Sequence, residues 1–133
     1  MNDTKSTKKT VLIVDDNKDN LRVLAEYVQG GGYEIILSDN GIGACQAAEQ
    51  YTPNAILLDV MMPGMDGYET CRMLKNNRIT ENIPVIFVTA RSEVNSFKEG
   101  LKAGASDYIT KPFDPEVLIR RLNLHVENSI LKE

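Results

Sequence analysis

Histidine is almost missing from this chain: there is one, His125, in 133 residues, and only two cysteines, Cys45 and Cys71, with no CxxC motif. That excludes Cys/His zinc centres and leaves no thiol and imidazole couple for nucleophilic catalysis. The cysteines read as small apolar residues on helices in a reducing compartment. Positive charge is also short, with 15 Lys and Arg against 19 Asp and Glu. A nucleic-acid surface would need clustered cations, and Lys5, Lys8 and Lys9 make only a small basic arm. No apolar run reaches the roughly 18 residues of a membrane span. The polar opening MNDTKSTKK has no hydrophobic segment of a signal peptide, so a cytoplasmic protein is expected. Repeats, low-complexity tracts and linkers are absent as well. What remains is an ordinary globular composition, 42% hydrophobic and 26% charged, of a size for one domain.

What is present is a rhythm. Short apolar runs recur: VLIV at 11–14, EIIL at 34–37, AILL at 55–58, PVIFV at 84–88 and a weaker SDYI at 106–109. They are near-continuous rather than alternating, the pattern of strands covered on both faces. Between them lie helical patterns. Leu21, Leu24, Ala25 and Val28 keep the i, i+3, i+4, i+7 spacing, and GGGY at 30–33 stops that helix. Further helices are predicted over 41–50, over GYETCRMLKNN behind an Asp66 cap, over 92–103, and after Asp114 with Pro115 in the first turn. The last can continue through Leu118, Leu122, Val126 and Ile130 to the end of the chain, longer than one sheet requires. Five strands alternating with five helices give an α/β fold with a parallel sheet and right-handed crossovers.

In a parallel sheet, residues just past the carboxyl ends of the strands gather at one edge, where such folds bind ligands. Those positions are Asp15 and Asp16, Asp59, Thr89 and Lys111. Singly, each has an ordinary explanation: a helix cap, a turn former, a β-branched strand residue, a solvated loop charge. Together they form a hard, charged pocket. Neighbouring strands lie about 4.8 Å apart, so Asp59 and one of the acid pair would stand about 5 Å from each other if the first and third strands adjoin. Like charges at that distance repel by roughly 3 kcal/mol at an effective dielectric of 20. Lys111 offsets part of this, and an oxygen-seeking dication, Mg²⁺ or Mn²⁺, the rest. Two carboxylates on a metal, a third beside it, a lysine and a hydroxyl suit a phosphoryl group. Asp59 then acts as a carboxylate nucleophile that needs no general base, with Mg²⁺ and Lys111 spreading charge and Thr89 donating a hydrogen bond.

VLIVDDN, ILLDVMMPGMDGYETCRMLK, IPVIFVTA and GASDYITKPF, in order over about residues 10–125, resemble the receiver domain of two-component response regulators. The resemblance implies a flavodoxin-like doubly wound sheet of order 2-1-3-4-5 flanked by five helices. It also implies residue roles. Asp59 is the phosphoacceptor, Asp15 and Asp16 the acidic pair for the metal, and Met61 the donor of a backbone carbonyl to the same ion. Thr89 and Lys111 sense the phosphate, and Tyr108 is an aromatic that changes rotamer. A cis bond before Pro112 follows in the same way, as does a role for Met61 and Arg91 in the lifetime of the phosphoryl group. The implied donor is a sensor histidine kinase or a histidine phosphotransfer protein, selected by helix 1, where Leu21, Arg22 and Ala25 could contribute. The implied domain plan is an arm over 1–9, a receiver over 10–125, and a helical continuation over 126–133.

Phosphorylation at Asp59 is expected to draw Thr89 inward, let Tyr108 turn in, and repack the surface of helix 4, strand 5 and helix 5, changing partner or homodimer affinity. The long last helix resembles those that run into an output module such as a diguanylate cyclase or a kinase; a free-standing receiver with a fraying end is the other reading. His125 reads as a surface residue, far from the carboxylates and with no partner for phosphorelay or metal binding. Three competing functions fit less well. A flavin binder would need a phosphate-cradling loop where the acids stand. An Asp-dependent phosphohydrolase would carry DxD on its first strand and a substrate cap. A non-phosphorylated receiver acting purely as a binding module would have lost one of Asp16, Asp59 or Lys111.

Overall fold

The branched apolar runs become strands because both faces of each central strand find a helix to pack on. The computed structural model describes residues 8–132, with side chains through Ser129. The strands are β1 (Thr10–Val14), β2 (Glu34–Ser38), β3 (Ala55–Leu58), β4 (Val85–Thr89) and β5 (Asp107–Thr110). Alternating with them are α1 (Lys18–Gly30), α2 (Gly41–Tyr51), α3 (Gly67–Lys75), α4 (Val94–Lys102) and α5 (Pro115–Lys132). All strand pairs are parallel, in the order β2-β1-β3-β4-β5. This is the flavodoxin-like doubly wound arrangement expected. The peptide bond between Lys111 and Pro112 is cis, also as expected.

Side chains alternate across the sheet. Leu12, Val14, Ile56, Leu58, Val85 and Phe87 point to the layer of α2 and α3, where they meet Ala44, Ala48, Cys71 and Leu74. Val11, Ile13, Leu57, Ile86 and Val88 point to the layer of α1 and α5, against Leu24, Val28, Leu118 and Leu122. Two cores on one sheet explain why the central runs are apolar at every position. β2 departs from this. It was expected to be covered on both faces, but it is an edge strand and Leu37 is 47% exposed.

Helix starts follow the capping residues. Asn17 accepts from the Asn20 N–H and Asn40 from the Gly43 N–H, Asp66 and Glu69 form a reciprocal capping box, and Asp114 accepts from Glu116. α4 begins two residues later than expected, and α3 ends at Lys75 rather than in the asparagines. The Lys9 carbonyl accepts the Glu34 N–H at 2.9 Å, at the start of the sheet. Residues 1–7 and Glu133 lie outside the described residues. Among the described residues no helix is long and apolar enough to cross a membrane.

Candidate functional site

Because β1 and β3 are neighbours with Val14 beside Leu58, the residues that follow them, Asp15 and Asp59, leave the sheet side by side. The Asp59 N–H donates to the Val14 carbonyl at 3.0 Å, which fixes that placement. Both carboxylates are buried, Asp15 at 1% and Asp59 at 7% exposure. Lys111, the first residue after β5, reaches both: its Nζ is 3.1 Å from Asp15 Oδ2 and 3.4 Å from Asp59 Oδ2. The other oxygens are held locally. Asp15 Oδ1 accepts the Asn17 N–H at 3.0 Å, and Asp59 Oδ1 accepts the Met61 N–H at 3.1 Å.

Two buried carboxylates share one ammonium, so the site is short of positive charge. Burial raises the Asp15 pKa above its ordinary value, opposed by the Asn17 N–H and by Lys111, both of which favour the charged form. Asp16 is exposed at the same edge. Among the described residues no three His, Cys, Asp or Glu side chains stand together as a ready-made metal cage. A cage is unnecessary for Mg²⁺, which binds through one or two carboxylates and keeps several waters. An all-oxygen donor set with unmet negative charge fits a hard dication.

Thr89 ends β4 fully buried, and its Oγ1 accepts the Arg91 N–H at 3.3 Å, leaving its own proton to donate elsewhere. Tyr108 lies within β5 at 7% exposure, its hydroxyl donating to the Arg91 carbonyl at 3.0 Å. Its ring sits among Phe87 and Phe97. Burial, and next the Tyr68 hydroxyl, push its phenol well above the ordinary range. Tyr108, expected to turn inward on phosphorylation, is already buried in this structure. The structure thus joins Asp15, Asp59 and Lys111 by direct contact, and sets Asp16, Met61 and Thr89 at the same edge.

Two sequence expectations need correction, and one residue escaped notice. Leu21 and Ala25, offered as partner contacts, are buried at 8% each and belong to the core; Arg22 is exposed and paired with Asp19. His125, expected at the surface, is partly buried: its Nε2 lies 3.0 Å from Asp107 Oδ2, and Arg121 joins the same carboxylate at 3.3 Å. Tyr68 was missed altogether, though it is buried and donates to the Ser96 carbonyl at 3.0 Å. Nothing in a lone Tyr after a helix start announces such a bond.

The strand order and the lysine-bridged acidic edge define a flavodoxin-like fold with a carboxylate site at the carboxyl ends of its strands. Residues 11–123 match the family described as response regulator receiver domain, and the chain belongs to it. It is a receiver domain of two-component response regulators, a signalling domain rather than a conventional enzyme. The phosphate regulon transcriptional regulatory protein PhoB of Pseudomonas aeruginosa is 42% identical over 114 residues, 86% of this chain and 50% of that protein. Response regulator PleD of Caulobacter vibrioides is 42% identical over 84% of this chain and 25% of its own length. The chain therefore spans half or less of these curated relatives. Among solved structures, the receiver domain of a sensor histidine kinase from Pseudomonas aeruginosa superposes with a TM-score of 0.85 at 31% identity, covering 91% of this chain and 99% of that one. That structure has a magnesium ion coordinated in its active site cleft.

Proposed function

We propose that this domain is a phosphorylation-activated switch whose phosphoacceptor is Asp59. The carrying observation is the single Lys111 ammonium held between the buried carboxylates of Asp15 and Asp59. An ionised Asp59 oxygen attacks the phosphorus of a phosphohistidine on a kinase or phosphotransfer protein. A P–O bond to Asp59 forms, the P–N bond breaks, and the imidazole leaves with its electron pair. Lys111 is placed to hold negative charge on the transferring group, and Thr89 has a hydroxyl proton free to donate to it. Asp15, Asp16, Asp59 and the Met61 carbonyl would hold Mg²⁺, or Mn²⁺, which when bound spreads the charge of the phosphoryl group. Arg91 and Met61, two positions beyond Thr89 and Asp59, flank the approach and would set the lifetime of the acyl phosphate.

The output reading follows the chain. Residues 10–125 would be the receiver, and the end of α5, as far as Lys132, would lead toward an output module such as a diguanylate cyclase, in keeping with relatives much longer than this chain. Phosphorylation would bias the surface of α4, β5 and α5 toward a partner or a second copy. Intact mass after incubation with acetyl phosphate and Mg²⁺ tests the chemistry. One metal-dependent phosphoryl adduct, absent from Asp59→Ala, is expected. An adduct that persists in Asp59→Ala, or none in the wild type, would overturn the assignment.

A further inference from the structure

Helix α4 is built inside out. Its buried residues are Ser96 and Gly100, whereas Val94, Phe97 and Leu101 are exposed. A Cβ on Gly100 would stand 3.0 Å from Tyr108 Cδ2 and 3.2 Å from Phe87 Cδ2, so the helix backbone rests directly on those rings. Small inward side chains bury little apolar area, and the hydrophobic effect holds this helix weakly. Nor does it cap itself. Glu93, at the N-cap, makes no side-chain bond to the helix backbone, and its Oε1 accepts from the Ser96 hydroxyl instead.

Apart from the edge contact of Phe97 with the Tyr108 ring, centroids 5.6 Å apart, what grips α4 is polar and comes from α3. The Tyr68 hydroxyl donates to the Ser96 carbonyl at 3.0 Å, in the first turn of α4. One turn along α3, the Cys71 thiol donates to the Ala103 carbonyl at 3.4 Å, at the far end of α4. Residues three apart share a helix face, so one face of α3 holds both ends of its neighbour. Tyr68 also packs edge-on against Phe87, with centroids 5.5 Å apart. α3 in turn begins hard against the acceptor residue. A Cβ on Gly67 would lie 2.3 Å from the Asp59 carbonyl oxygen and 2.7 Å from Val60 Cα, a closeness only glycine permits.

We propose that Tyr68 is a positioning residue for α4: it forms a second link from Asp59 to the α4 surface, running through Gly67 and α3 rather than through Thr89. Its regulatory meaning rests on Asp59 being the phosphoacceptor, but the latch is a property of the unmodified domain. Displacement of the Asp59 backbone is passed to the first turn of α3, and the Tyr68 hydroxyl passes it to Ser96. α4 can respond because little else holds it. Contiguity alone does not establish coupling, so the measurement must be of coupling.

The test is amide hydrogen exchange on the whole chain, for wild type, Tyr68→Phe, Tyr108→Phe and the double variant, with and without acetyl phosphate and Mg²⁺. The reporter is the Phe97 amide, which bonds Glu93 in the first turn of α4; the control is the Leu118 amide, which bonds Asp114 in α5. Phenylalanine keeps the ring packing and removes only the hydroxyl. Tyr68→Phe is expected to speed Phe97 exchange about fivefold, the weight of one net hydrogen bond, and to leave Leu118 unchanged. It takes the same phosphoryl adduct by mass as wild type, but its Phe97 responds less to the phosphodonor, and least in the double variant. Unchanged Phe97 exchange would overturn the proposal. So would equal acceleration at Leu118, the mark of a merely structural hydroxyl, or a phosphodonor response equal to wild type. If wild type takes no adduct, the Asp59 reading fails by itself, and the unmodified samples still decide the latch.

Discussion

α4 and α5 flank the same strand, yet they are attached by opposite means. α5 sinks Leu118, Leu122 and Val126 into the sheet, none more than 3% exposed. α4 lays a serine and a glycine on the sheet, turns its large apolar residues outward, and is tied by the hydroxyl of Tyr68 and the thiol of Cys71. Apolar burial is non-directional and changes gradually with displacement, while a hydrogen bond is lost within a fraction of an ångström. One helix is therefore ballast and the other a latch. The two helix faces beside β5 are thus held by different forces, one by burial and the other largely by directional bonds.

The sharpest way to break that contrast is to hollow out α5. Leu122→Ala should cost about 2–5 kcal/mol in urea unfolding. A loss below 1 kcal/mol would mean α5 is no firmer than α4. Next, Gly67→Ala forces a Cβ into the Asp59 backbone and should cost about 1–3 kcal/mol. It should also lower phosphoryl uptake by intact mass; wild-type uptake and stability would show that the contact is slack.

Cys71 offers a chemical way to loosen the latch. Burial pushes its thiol from the ordinary 9.0 up to about 11. The unfolded chain thus loses this proton first, and stability falls as pH rises between those values. The loss at pH 10 is on the order of 1 kcal/mol, and Cys71→Ala should not show it. Identical alkaline slopes for the two proteins would remove the thiol from the account. Smallest of all, Val94→Ser at the outward face of α4, 67% exposed, should change stability by no more than about 0.5 kcal/mol. A larger loss would mean that this face is covered in solution.

Much of this was legible in the sequence, for identifiable reasons. The apolar runs located the strands to within a residue or two, and the rule that ligands gather at strand carboxyl ends picked out Asp15, Asp59 and Lys111 before their contacts were seen. Strand order came from family resemblance, and with it the identity of the edge strand, so the exposure of Leu37 could not be read from a run that looks like its neighbours. The pairing of His125 with Asp107 joins a helix to the start of a strand, and no local pattern encodes it. The orientation of α4 was hidden for a different reason. Its apolar spacing is a good helical stripe, and periodicity says nothing about which side of the stripe faces the protein.

Lys111 meets Asp15 across 96 positions of sequence and Asp59 across 52. Contacts of that span close the longest loops, and their entropy must be met before they return anything, which places them late in folding. β5, whose end delivers the lysine, lies at the outer edge of the sheet. A chain still emerging from the ribosome without its fifth strand has both acids but no ammonium between them. With Asp59 and Lys111 in their proposed roles, competence to receive a phosphoryl group would then coincide with completed folding.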